Sequence, residues 1–113
     1  MNTAVLKFGG STFPDPGAYA TIAAYLGERI EARERLVVTV SAAPGETERL
    51  RSRLHEVARQ PREETVAGLL TLADTVSAHL LAAAVTEIGR SATVLAGHQM
   101  GFVTTGSPMW ARL

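Results

Sequence analysis

Ala4-Val5-Leu6-Lys7-Phe8-Gly9-Gly10-Ser11 is a short apolar run that ends in two glycines and a serine. Such a run, too short for a helix and closed by glycine, predicts a buried β-strand entering a tight turn. The residues that follow set the connection. Asp15-Pro16 supplies an N-cap and a first-turn proline, after which Tyr19, Ile22, Ala23, Leu26 and Ile30 recur at helical spacing. Glu28, Arg29, Glu31 and Arg33 occupy the other side, so the helix is amphipathic and covers a sheet. Leu36 to Val40 is a second β-rich run, closed by Ser41-Ala42-Ala43-Pro44-Gly45. Strand, helix and strand in that order imply parallel strands joined by a right-handed crossover.

Beyond the Pro-Gly turn, Leu50, Leu54, Val57 and Ala58 mark another helix, ended by Gln60-Pro61. A long helical pattern runs from Arg62 to Ile88, with Val66, Leu69, Ala73, Val76, Leu80, Leu81, Ala84 and Val85 on one broad stripe. Gly89 is its stop signal. The pattern allows a break at Thr71 to Asp74, which would make two helices of it. Ala92 to Leu95 and Phe102 to Thr105 are short strand candidates on either side of the turn Gly97-His98-Gln99-Met100-Gly101. The sum is one domain over 1–113, a three-layer α/β/α sandwich on a mostly parallel sheet.

Composition narrows the function classes. The 113 residues are 46% hydrophobic and 19% charged, the profile of a globular chain. Eleven Lys and Arg balance eleven Asp and Glu, so no global field gathers nucleic acid or anionic lipid. Arg49, Arg51, Arg53 and Arg59 resemble a nucleic-acid stripe, but Glu46, Glu48 and Glu56 are interleaved, which reads as a solvated face. With no Cys there is no disulfide, thiolate metal site or cysteine nucleophile. Ala4 to Leu6 is too short for a signal peptide or membrane span, so a cytoplasmic location is expected, with no membrane partner. His55, His79 and His98 lack metal-ligand spacing, and no metal or cofactor is expected. Met109 and Trp110 suit a subunit contact better than a cofactor pocket.

The chemistry concentrates at the end of the first strand, the edge where open α/β sheets bind ligands. Lys7 is the one lysine, against ten arginines. It provides a compact ammonium, Gly9 and Gly10 allow backbone amides to approach an anion, and Ser11 adds a hydroxyl. This is a cradle for a phosphate or oxyanion, although a strand-end Gly-Gly is also an ordinary turn. It is not a Walker A loop, because the lysine precedes the glycines. Asp74, with Ser77 three residues on, lies at the edge of the apolar stripe. Partial desolvation there would raise its carboxyl pKa and suit acid–base work, while a structural cap at a helix break explains it equally.

Lys7-Phe8-Gly9-Gly10-Ser11-Thr12 near the N-terminus resembles the signature of the aspartokinases, and three later stretches fall in that family's order. Val37-Val38-Thr39-Val40-Ser41-Ala42 with Gly45-Glu46-Thr47 is similar to the motif in which a serine and a threonine contact the amino acid, roles that Ser41 and Thr47 match. Leu70 to Ser77 resembles the Gly-Glu-Arg segment, with Asp74 at the glutamate position and Ala73 and Thr75 in place of glycine and arginine. Ala92 to Arg112, including Gly97 to Gly106, resembles the family's Gly-x-Gln-x-Gly strand and turn up to its Ala-Arg pair, which would place His98 beside the site, although an exposed loop histidine explains it as well. The resemblance implies the amino-acid-binding half of an amino acid kinase, with the motifs that hold ATP lying beyond Leu113. The function expected from this is an ATP-independent enzyme acting on a carboxylate or carbonyl substrate, with Lys7 and Asp74 catalytic. Gly9, Gly10, Ser11, Ser41, Thr47, Ser77 and His98 are expected to bind the substrate. The alternatives are the amino-acid-binding subunit of a split kinase with a kinase-like partner chain, and a non-catalytic ligand sensor or assembly protein. Halving a parallel sheet exposes an edge and a face, so a homodimer or larger homo-oligomer is expected.

Overall fold

The structure, a computed structural model, describes residues 2–95. Its elements are β1 (Asn2–Phe8), a 3-10 turn (Gly10–Thr12), α1 (Gly17–Glu31), β2 (Glu34–Val40), α2 (Glu46–Val57) and α3 (Glu63–Glu87). The strands are parallel, in the register Ala4↔Leu36, Leu6↔Val38 and Phe8↔Val40 on one face and Val5↔Val37 and Lys7↔Thr39 on the other. This is the α/β architecture with a parallel sheet expected from the strand, helix, strand order.

The two faces of the sheet differ. Leu6, Phe8, Leu36, Val38 and Val40 pack against a core of Phe13, Tyr19, Ala23, Leu26, Leu81 and Val85, drawn from the turn, α1 and α3. On the outer face Val5 is 69% exposed, so the expectation of a fully buried first strand is corrected. The outward positions are Thr3, Val5 and Lys7, so a single apolar residue, Val5, interrupts the period-2 alternation by which a strand covered on one side is recognised. Phe13, stacked on Tyr19 at 4.4 Å and edge-on to Phe8 at 6.5 Å, ties the turn after β1 into the core.

Local chemistry sets the boundaries. Asp15 Oδ1 accepts the Ala18 N–H at 3.2 Å, performing the predicted capping at the start of α1. Arg33 closes that helix at φ 67, donating its N–H to Ile30 at 2.9 Å, and β2 begins one residue later. Gly45, at φ 83, precedes α2, whose first turn carries Glu46 and Glu48 at the positive end of the helix dipole. α3 runs unbroken through Thr71 to Asp74, because no glycine or proline interrupts it there and Thr71 bonds back to the Ala67 carbonyl at 2.8 Å. Gly89 stops it at φ 85, as its sequence position implied.

α3 is long and apolar enough, by length and composition, to cross a membrane. Here it is the central helix, packed on α1, α2 and β2. Gly27 of α1 is buried beside the end of α3, where a Cβ would lie 2.9 Å from Ile88 Cδ1, the far end of a flexible side chain. Ala92 to Leu95 form no strand, because no described backbone pairs with them. The candidates at 97–101 and 102–105, with Met109 and Trp110, lie outside the described residues.

Candidate functional site

The carboxyl edge of β1 and β2 brings two loops together. Ser41 donates its N–H to the Phe8 carbonyl at 3.0 Å, extending the parallel ladder one step past the strands. The next residue, Ala42, presses its carbonyl oxygen against Gly10: a Cβ at position 10 would lie 2.6 Å from it. Glycine at 10 is therefore demanded by space, since the close approach leaves no room for a side chain. Gly9 differs. Its backbone is extended, at φ −74 and ψ 171, and a Cβ there would meet nothing within 4 Å. Neither conformation nor packing requires glycine at 9.

The 3-10 turn is held by two bonds, Thr12 N–H to Gly9 at 3.0 Å and Phe13 N–H to Gly10 at 3.1 Å. The amides of Gly10 and Ser11 are left without an acceptor inside the turn, as in any first helical turn. Ser11 is exposed. Lys7 is exposed at the end of β1 and makes no ion pair among the described residues. Its register partner Thr39 directs its hydroxyl to the Leu6 carbonyl at 3.5 Å. Ser41 and Thr47 are half-buried, and their hydroxyls make no hydrogen bond among the described residues.

Asp74 reaches this edge from α3. Its Oδ1 accepts the Ala42 N–H at 2.7 Å, joining residues 32 apart in sequence. The carboxylate is exposed, so the partial burial expected for it is corrected. Asp74 stands next to the buried Ala73, on the flank of α3 that meets the loop after β2. Ser77, one turn on, faces inward: it is 1% exposed and shares a 2.9 Å hydrogen bond with the Tyr19 hydroxyl. Ser77 lies on the wall of an apolar groove, away from the turn after β1. His98 lies outside the described residues. His55 and His79 turn Nδ1 to the carbonyls of Arg51 and Thr75 in their own helices, both at 2.9 Å.

Two of the three arginines of α2 are paired, as the interleaved glutamates implied, and Arg53 makes no ion pair among the described residues. Arg49 holds Glu46 and Arg51 holds Glu48, each three residues apart. The Arg49 hydrogen bond keeps the Glu46 carboxyl below the usual glutamate range.

An apolar groove of about 600 Å³ opens beside this edge, between the start of α1, Ala43-Pro44 and α3. Phe13, Tyr19, Pro44, Val76 and Leu80 wall it, while Lys7, Gly9, Gly10 and Ser11 do not line it. Sequence reading placed Val76 and Leu80 in the core stripe, yet they are 46% and 48% exposed. It also missed Phe13 and Ala42. An aromatic directly after a Gly-Gly-Ser-Thr turn was a usable sign for Phe13, whereas nothing marks an alanine whose importance lies in its peptide groups.

The fold and this edge define a class: an α/β domain whose parallel strands end in a glycine turn bearing a lysine. The profile of the amino acid kinase family matches residues 2–109, and the chain belongs to that family. It is 32% identical over 107 residues to an aspartokinase of Mycolicibacterium smegmatis, covering 95% of this chain and 25% of the relative. It is likewise 32% identical over 111 residues to an aspartokinase of Mycobacterium tuberculosis strain H37Rv, with the same coverage. Among solved structures it matches an aspartate kinase from Synechocystis with a TM-score of 0.79 and 28% identity, over 87% of this chain and 17% of that one. The chain thus spans about a quarter of the length of the curated relatives it matches.

Proposed function

We propose that this chain binds the carboxylate of a small amino acid at the carboxyl edge of β1 and β2, as the acceptor-binding part of an amino acid kinase site. The observation that carries the reading is the open space at Gly9, two residues after the exposed Lys7 at the end of β1. An anion seated there would meet a positive charge together with the amides of Gly10 and Ser11. The similar proteins are named aspartokinases, so L-aspartate is the ligand to try first.

Phosphoryl transfer demands positioning and charge neutralisation more than proton chemistry. That suits a site with Lys7 unpaired among the described residues and with its nearby carboxylate, Asp74, bonded to a backbone amide. The same bond weighs against an ATP-independent enzyme in which Asp74 moves a proton. Such an enzyme would rely on Lys7 and the amides of Gly10 and Ser11 to stabilise an oxyanion. Self-association into a homodimer or larger assembly remains part of the proposal, supported by the exposed Val5 and Val37.

Calorimetric titration of L-aspartate into wild type and Lys7→Ala tests the reading. The variant should lose affinity by about tenfold or more, the scale of one charge-assisted contact, at an unchanged melting temperature. Equal affinity in the two proteins would end it. Turnover of a carboxylate substrate without nucleotide would decide for the ATP-independent enzyme, and ADP release that requires an added partner chain would decide for a kinase subunit.

A further inference from the structure

We infer that Asp74 is a positioning residue, which fixes the loop after β2 against the glycine turn after β1 and does not itself transfer a proton. The inference rests on the binding reading above for its purpose, but on geometry of its own for its substance. Two restraints straddle Ala42. Its N–H is taken by Asp74 Oδ1 at 2.7 Å, and its carbonyl oxygen abuts Gly10, where even a methyl group would come within 2.6 Å. One residue earlier, Ser41 is anchored by its N–H to Phe8 at 3.0 Å. The peptide groups on either side of Ala42 are therefore pinned from opposite directions, one by α3 and one by the first-strand loop.

The purpose of the arrangement follows from what lies on each side. Ser41 precedes Ala42 at the strand edge, and Ala43 follows it into the wall of the apolar groove. With the carboxylate in place, α3 sets the height of the Ser41 hydroxyl relative to Gly9 and Lys7. Without it, the loop is held by the Ser41 amide, by contact with Gly10 and by the packing of Ala43 on the core. An acceptor oxygen suffices for this work, and a negative charge strengthens it. Proton transfer would instead need a carboxyl group free to change partners at the reacting atom.

The test compares Asp74→Asn, which keeps an acceptor oxygen without the charge, with Asp74→Ala, which removes both. Amide exchange at Ala42, followed by NMR in the intact chain, is the readout independent of ligand. Asp74→Ala should speed exchange at Ala42 by about tenfold or more, while Asp74→Asn stays within a few-fold of wild type. L-aspartate affinity should follow the same order, weakened in Asp74→Ala and largely kept in Asp74→Asn. Unchanged exchange at Ala42 in Asp74→Ala would overturn the inference. So would an Asp74→Asn protein that protects Ala42 yet binds as poorly as Asp74→Ala, because the charge would then be acting on the ligand directly. If wild type binds no L-aspartate, the binding reading falls while the exchange measurement still decides the role of Asp74.

Discussion

Adding one methyl group to each of the two adjacent glycines should have opposite effects. At position 10 the new Cβ would lie 2.6 Å from the Ala42 carbonyl oxygen, where ordinary contact begins at 3.4 Å. The obstacle is backbone, which cannot swing aside as a flexible side chain can. Relief requires the loop after β2 to move away, against the Asp74 bond that holds it. Overpacking of this kind costs about 1–3 kcal/mol, which for a domain of this size lowers the melting temperature by roughly 4–12 °C. At position 9 the backbone is extended and a Cβ meets nothing within 4 Å, so alanine fits without strain. The lower entropy of the unfolded chain then makes Gly9→Ala more stable by about 0.4–1 kcal/mol. Its cost falls on binding, because the methyl group occupies the space through which an anion would approach the turn. Melting curves and L-aspartate titrations on the two variants check both halves. A Gly10→Ala protein that melts with wild type would refute the close approach of the loops, and a Gly9→Ala protein that melts far below it would refute the open cradle.

Two further outcomes are expected. Tyr19→Phe leaves the Ser77 hydroxyl, at 1% exposure, without its partner and should cost about 1–3 kcal/mol; adding Ser77→Ala should restore part of the loss, and simple additivity in denaturant unfolding would contradict the buried bond. The Arg29 hydrogen bond holds the Glu34 carboxyl below its ordinary value of 4.5. The stabilisation from this pair is thus present above about pH 4.5 and lost as pH falls through the lowered value, so Glu34→Gln should flatten the fall of melting temperature in acid, and an unchanged acid slope would count against the pair.

The element order was legible because most boundaries have a local cause: glycine after β1, Asp15 before α1, the Pro-Gly turn before α2 and Gly89 after α3, whereas Arg33 between α1 and β2 carried no such sign. Exposure was less legible. Val5 and Val76 are chemically indistinguishable from core residues, and their exposure depends on whether another layer lies over them, which a local pattern does not encode. The contacts that shape the site were the least legible. Asp74 to Ala42 and Tyr19 to Ser77 join residues 32 and 58 positions apart. The residue type at one end of each pair carried a signal, but its partner did not. An aspartate at the edge of an apolar stripe advertises itself, whereas the backbone amide that it serves looks like any other.

That asymmetry bears on how a departure from a family motif should be weighed. On the motif resemblance drawn from the sequence, Asp74 would take the place of a glutamate, and one methylene less would shorten its reach toward a ligand. The carboxylate instead bonds to the main chain of the neighbouring loop, at the point where that loop meets Gly10. A group removed from direct contact can still govern affinity by fixing the groups that make contact. Its loss would then weaken binding of every ligand that uses the loop, without discriminating among them. Specificity would lie with Lys7, Ser41 and the shape of the space at Gly9, and substitutions there, more than at Asp74, should alter which carboxylate is preferred.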